Sequence, residues 1–207
     1  MDSHTTYTTS TFPTASTNVG RIAYNSDTNS LFFSNGITWL ELISWTQPIM
    51  ASMTSPSPYI ITTNYETSVG SAWRGFDRIL TASNWWHTGT GVFNSSGDYI
   101  GVAGKLGIAN NGAWLVMQMD VARSISKYTY HTRIDAIDGI ARSWHIIYSN
   151  DGINYLSADN KVNATLVINT AYTYTFTPII AKYWGIQIYK VNGAGSISIT
   201  QELTFFT

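Results

Sequence analysis

The chain has no cysteine among its 207 residues, which excludes both a disulfide framework and a thiol nucleophile. Charge is scarce too. Asp, Glu, Lys and Arg make up 11%, against about a quarter of an ordinary soluble domain. The 11 basic and 12 acidic residues are scattered and nearly cancel, leaving a net charge of -1. Without a Lys/Arg run there is nothing to neutralise phosphates, so a nucleic-acid partner is not expected. No basic amphipathic helix is present to lie on an anionic membrane, and no apolar run approaches the roughly 18 residues of a spanning helix. The start, Met1-Asp2-Ser3-His4-Thr5-Thr6, lacks the basic and apolar regions of a secretory signal. Synthesis in a reducing cytoplasm, followed by release through lysis or within a particle, is the expectation.

Catalytic patterns are missing as well. His4, His87, His131 and His145 do not have the spacing of zinc ligands. There is no G-x-S-x-G elbow and no glycine-rich phosphate cradle leading into a helix. Asp135 and Asp138 share one turn-like stretch rather than forming a carboxylate pair across a cleft. The chain is expected not to be an enzyme.

What is present is aromatic and neutral-polar. Aromatics reach 14%, and Thr, Ser, Asn and Gly must supply the wet surface. Such a surface holds water through hydrogen bonds rather than charge, as β-rich proteins that meet polysaccharide outside cells do.

Organisation follows from local pattern. Residues 1–18 carry seven threonines, which disfavour helix and suggest an extended arm. From Val19 to Trp39 three short strands are expected, the last two joined by an Asn35-Gly36 hairpin turn. Three short strands cannot bury Leu31, Phe32, Phe33, Trp39, Leu40 and Trp45, so this unit needs a partner. Pro48, Pro56 and Pro58 lie in a Ser/Thr-rich stretch that reads as a stiff linker. The boundaries expected are 1–46 for the arm and small β module, 47–57 for the linker, and 58–207 for the main domain.

Beyond Tyr59 the period is two. Tyr172, Tyr174 and Phe176 alternate with threonines; Tyr128, Tyr130 and Thr132 alternate with Lys127, Thr129 and His131; Leu115, Met117 and Met119, and Trp184, Ile186 and Ile188, give further runs. Asn110-Asn111-Gly112, Asp138-Gly139, Asn150-Asp151-Gly152 and Asn192-Gly193 break them. The prediction is an all-β jelly-roll sandwich with one short helix, about two turns between Ser68 and Arg78.

Three stretches carry a family likeness: Ala72-Trp73-Arg74-Gly75-Phe76-Asp77 continuing to Trp86-His87-Thr88; Trp144-His145-Ile146-Ile147-Tyr148-Ser149-Asn150-Asp151-Gly152; and Glu202-Leu203-Thr204-Phe205. Together they resemble the discoidin-like domain, also known as the coagulation factor 5/8 type C or galactose-binding-like domain. The resemblance implies core roles for Phe76, Trp86 and Trp144 and ligand binding by loops at one end of the sandwich. Tyr65, Trp85, His87, Tyr99 and Arg142 have the side chains for a glycan there, aromatic faces to stack on sugar rings and polar groups for hydroxyls. Trp85 faces away from Trp86, either as an exposed platform or buried under the N-terminal module.

The resemblance also implies a possible structural Ca²⁺ near Asp77 and Glu202, although Arg78 stands where the family carries glycine. A pair of Asp77 with Arg74 or Arg78, or a helix-end cap, is the alternative. Val19-Gly20-Arg21-Ile22-Ala23-Tyr24, Asp27-Thr28, Leu31, Asn35-Gly36 and Trp39 resemble a short module of bacteriophage tail fibres. That likeness implies a homotrimeric virion appendage contacting other tail or baseplate proteins and binding host surface polysaccharide. A purely structural virion protein, and a carbohydrate-binding module of a secreted glycosidase, are the alternatives; the last is disfavoured by the absent signal.

Overall fold

The structure, a computed structural model, describes residues 6–26, 30–41, 45–67, 70–102, 104–106, 111–135, 137–193 and 199–207. Four short strands make the N-terminal sheet: β1 (Thr6–Tyr7), β2 (Ile22–Asn25), β3 (Ser30–Ser34) and β4 (Trp39–Glu41), in that order. The expected turn forms between β3 and β4, where Asn35 Oδ1 accepts the N–H groups of Ile37 and Thr38 and Gly36 takes φ +88°. The Thr-rich arm does not hang free. It folds back so that Phe12 meets Tyr7, Phe32 and Trp39 edge-on at 5.7, 5.2 and 5.1 Å. Trp39 Nε1 then donates to the Pro13 carbonyl at 2.7 Å. Strand alternation leaves Ile22 and Leu40 on the opposite face, 51% and 46% exposed.

The main domain holds β5 (Ile60–Thr63), β6 (Trp86–His87), β7 (Ala113–His131), β8 (Ala141–Ser149), β9 (Leu156–Lys161), β10 (Ala171–Val191), β11 (Ile199–Thr200) and β12 (Glu202–Phe206). Its large sheet runs β12-β7-β10-β8-β9, with β5 added to β7. The alternating runs at 115–119 and 128–130 are one strand of 19 residues, and those at 172–176 and 184–188 are one of 21. Both strands bend where their register slips, between Thr175 and Ile179 and between Ala181 and Tyr183. Pro178, which has no N–H to give a ladder, lies inside the first slip.

Each long strand therefore serves both layers, and the core lies between them. Phe76, Trp86, Leu115, Met117, Tyr128, Tyr130, Trp144, Trp184 and Phe205 are all fully buried. The polar tips of Trp144 and Tyr128 find partners in the core, whereas the Trp85 indole N–H is buried without one among the described residues. Trp144 Nε1 donates to Tyr128 Oη at 3.1 Å, and that hydroxyl donates to Asp159 Oδ2 at 2.8 Å. The Ser149–Gly152 turn also forms as expected. Asp151 Oδ1 accepts the Ile153 and Asn154 N–H groups at 2.8 Å each, and Gly152 takes φ +74°. The Asn154 side-chain amide, donating to Asp151 Oδ2 at 2.7 Å, contributes most to holding the Asp151 carboxyl well below its usual range, and the two backbone N–H bonds add to it.

Two expectations are corrected. Of the helix expected between Ser68 and Arg78, the described residues form only a short 3-10 helix, Ala72–Phe76, and Ser68 lies outside them. Residues 47–57 are not an isolated spacer: Met50 is 1% exposed within the core, and its N–H donates to the Phe76 carbonyl. Gln47 is buried alongside β12, donating from Nε2 to the Leu203 carbonyl and accepting the Phe205 N–H on Oε1.

Register gives the sandwich two distinct ends. At one, Thr46 pairs with Phe206 and Arg123 lies over Trp45, so the chain arrives there from the N-terminal module. At the other, β5 and β9 end while β7 and β8 begin. The Ala141 N–H donates to Tyr130 Oη there, which brings the close of β7 to the same end. The loops after β5, before β7, before β8 and after β9 thus converge on the end remote from the N-terminal entry.

Candidate functional site

Asn64 organises the loop end. Its Nδ2 donates to Tyr99 Oη and to the Gly112 carbonyl, both at 3.2 Å, and its Oδ1 accepts the Trp114 N–H at 2.9 Å. One side chain thus ties the loop after β5 to the middle and to the close of the long loop before β7. Tyr99 Oη donates to the Val102 carbonyl at 2.7 Å, so it accepts from Asn64 and from Tyr65 Oη, 3.1 Å away. The two rings meet edge-on at 6.5 Å, with Phe93 against Tyr99 at 5.4 Å. Burial, then the Tyr65 contact, pushes the Tyr99 phenol up. Gly101 is required beside them, because a Cβ there would lie 2.1 Å from Tyr65 Oη.

His87 sits next in this arrangement. Trp86 Nε1 donates to the Tyr65 carbonyl at 3.0 Å, which sets the following residue against the same loop. The Gly89 N–H donates to His87 Nδ1 at 3.1 Å, which assigns the proton to Nε2, 3.2 Å from Thr67 Oγ1. Burial first, and the Arg133 charge second, lower the His87 pKa. It is a neutral bridge between two loops.

The sequence leaves Trp85 two readings, an exposed platform or burial under the N-terminal module, and the structure buries it under a different group. It is 8% exposed, and what covers it is Arg133, whose guanidinium lies 4.9 Å from the ring centroid. Arg133 is held there by Asp135, and that bond lowers the Asp135 pKa. Trp85 immediately precedes β6, whose Trp86 enters the core, and it is roofed by Arg133 from the loop after β7. Arg142 stands exposed at the start of β8, where its carbonyl accepts the Ala164 N–H. The structure therefore joins Tyr65, Tyr99 and His87, withdraws Trp85, and leaves Arg142 across the same end.

One arrangement escapes sequence reasoning. Lys105 Nζ lies 4.4 Å over Trp114 and 4.8 Å over Tyr155, on the outer face of the sheet. Buried Gln187 pins this segment by accepting the Lys105 and Leu106 N–H groups. Only the outward parity of Trp114 beside Leu115 hinted at it; the loop partner is 50 residues from Tyr155.

Asp77 and Glu202 are both buried, 2% and 6% exposed. Burial, the largest cause in each, raises both pKa values. Asp77 accepts the Ile79 N–H on Oδ1 at 2.9 Å, closing the turn it begins. Among the described residues no three His, Cys, Asp or Glu side chains gather in one place.

No family model matches the chain, and no curated protein matches it in sequence. Solved structures do match. One is CpGH89CBM32-5 from Clostridium perfringens in complex with GalNAc-β-1,3-galactose, at 18% identity and TM-score 0.56, covering 72% of this chain and 95% of that one. Another is the family 32 carbohydrate-binding module of C. perfringens NanJ in complex with galactose, at 19% identity and TM-score 0.54, covering 80% and 100%. A third is the family 32 module of AlyQ in complex with 4,5-unsaturated mannuronic acid, at 14% identity and TM-score 0.53, covering 78% and 98%. The chain has the discoidin-like jelly-roll fold of these modules.

Proposed function

We propose that this chain is a non-catalytic glycan-binding protein of a virion appendage, a tail fibre, whose sandwich holds host surface polysaccharide. The carrying observation is the loop end, where half-buried Tyr65 and Tyr99 share one hydrogen-bonded network with Asn64, beside His87 and at the end away from the N-terminal module. Aromatic rings there stack on the apolar faces of sugars, and the lone pairs left on Tyr65 Oη and Asn64 Oδ1 accept from sugar hydroxyls without a charge to desolvate. Arg142 supplies a cation at the rim. Trp85 acts from beneath, fixing the loop that carries Arg133.

The fold supports this reading, because it is shared with modules solved in complex with galactose and GalNAc-β-1,3-galactose. The tail-fibre part rests on the likeness of Val19–Trp39 and on the apolar face around Ile22 and Leu40, which a homotrimer or a neighbouring tail protein would cover. In a trimer, three weak sugar sites act together and retention rises by avidity.

A glycan array and whole-cell binding with the full chain test the reading. Binding to galactose- or GalNAc-containing oligosaccharides, weakened by Tyr99→Ala, is expected. No binding to any glycan or cell envelope sinks it and leaves a structural virion role. A second reading, a module of a secreted glycosidase, is favoured by matches to modules of glycoside hydrolases. Light scattering separates the two: a monomer with residues 1–46 intact favours the second.

A further inference from the structure

We propose that the turn from Asp77 to Asn84 is held by side-chain amides in the position of a metal ion, and that this protein folds independently of calcium. The resemblance implies a calcium site here, and the donor geometry disagrees with it. Three carbonyl oxygens, those of Ile79, Thr81 and Asn84, converge on Gln201 Nε2 at 3.4, 3.2 and 2.6 Å. Gln201 is fully buried, and the reverse amide orientation would set Oε1 against three carbonyls. A second amide sits beside it: Asn84 Nδ2 meets both Asp77 carboxylate oxygens at 2.9 Å and the Ile79 carbonyl at 3.0 Å.

A calcium ion needs six to eight oxygen lone pairs aimed at one empty centre. Here the convergent oxygens aim at N–H groups instead. The remaining carboxylate is engaged as well. Glu202 Oε2 accepts the Arg78 N–H at 2.7 Å, a bond that Arg78 can give because its backbone takes φ +58°. Positive charge comes from the chain itself. Arg78 Nη2 donates to the Gln47 carbonyl at 2.6 Å and Arg74 Nη1 to the Ser83 carbonyl at 3.0 Å, so both guanidinium groups are anchored on this turn and its flanks. The strand pairing makes the arrangement possible: Thr200 pairs with Trp86, so the next residue, Gln201, projects into the turn that leads to β6.

The test is thermal melting of the full chain in excess EDTA and in millimolar CaCl2, with terbium luminescence as a binding readout. The same Tm in both solutions, and no saturable terbium signal, is expected. A saturable calcium-dependent rise in Tm would overturn the proposal, since a ligand bound to the folded state must stabilise it. Gln201→Glu keeps the shape but replaces the donor amide with a carboxylate. It should melt roughly 5 °C lower in EDTA and recover part of that loss with calcium. Asn84→Leu, which removes the other donor, should melt lower with no recovery. If both variants melt with the wild type in EDTA, the amides do not hold the turn and the proposal fails.

Discussion

The guanidinium of Arg133 lies 4.9 Å above the indole of Trp85, and this contact turns the most prominent sugar-platform candidate in the sequence into part of the scaffold. Trp85→Ala should cost about 3–5 kcal/mol, as for other buried aromatics. Arg133→Ala should cost about 1 kcal/mol, the scale of a partly exposed cation–π contact. Urea denaturation checks both. Wild-type stability in Trp85→Ala with glycan binding lost would return Trp85 to the contact surface.

The Tyr65 and Tyr99 hydroxyls are predicted to be coupled. Tyr99 Oη is the hub, since it meets Asn64, Tyr65 and the Val102 carbonyl. Tyr99→Phe should therefore lose more stability than Tyr65→Phe, and a double-mutant cycle should give a coupling of about 0.5–1.5 kcal/mol. The Phe variants keep the rings, so glycan affinity should fall far less than in Tyr99→Ala. Equal loss in Phe and Ala variants would place the hydroxyl, not the ring, on the sugar.

Acid should loosen the loop end through His87. Its folded pKa is lowered by burial, so below about pH 6.5 the unfolded chain binds the extra proton and the folded chain resists it. Stability then falls as pH drops from that point toward the folded value. The bond from the Gly89 N–H to Nδ1 is what protonation breaks. Comparing urea midpoints at about pH 7.5 and about pH 5, His87→Gln should show a smaller drop than wild type. His145, also lowered by burial, accounts for a remaining part. An identical drop in His87→Gln would reject this assignment.

Residues 47–57 should behave as part of the sandwich. Met50→Ala should cost about 2–5 kcal/mol, the usual range for a buried methionine. A chain starting after residue 41 should keep the sandwich's melting temperature, whereas one starting at residue 58 loses Gln47 and Met50 and should melt lower or aggregate. Equal melting of the two would restore the picture of a spacer.

How much of this was legible beforehand depends on the distance over which each feature is decided. The alternation at Tyr172, Tyr174 and Phe176, the Asn35-Gly36 hairpin and the Ser149–Gly152 turn are set by neighbours a few residues apart. Turn chemistry and period-two patterning carry such features, and the sandwich follows from them. The sequence also determined that no thiol chemistry is available and that acidic and basic residues nearly balance. Tertiary structure alone decided the rest. Arg78 meets Glu202 across 124 positions, Gln47 meets Phe205 across 158, and Gln201 reaches Asn84 across 117. Whether Trp85 is a platform or a buried support, whether the Pro-rich stretch spans or docks, and whether an amide or an ion fills a turn all depend on which distant group arrives. Local propensity carries no information on that, because the competing states differ only in long-range contacts.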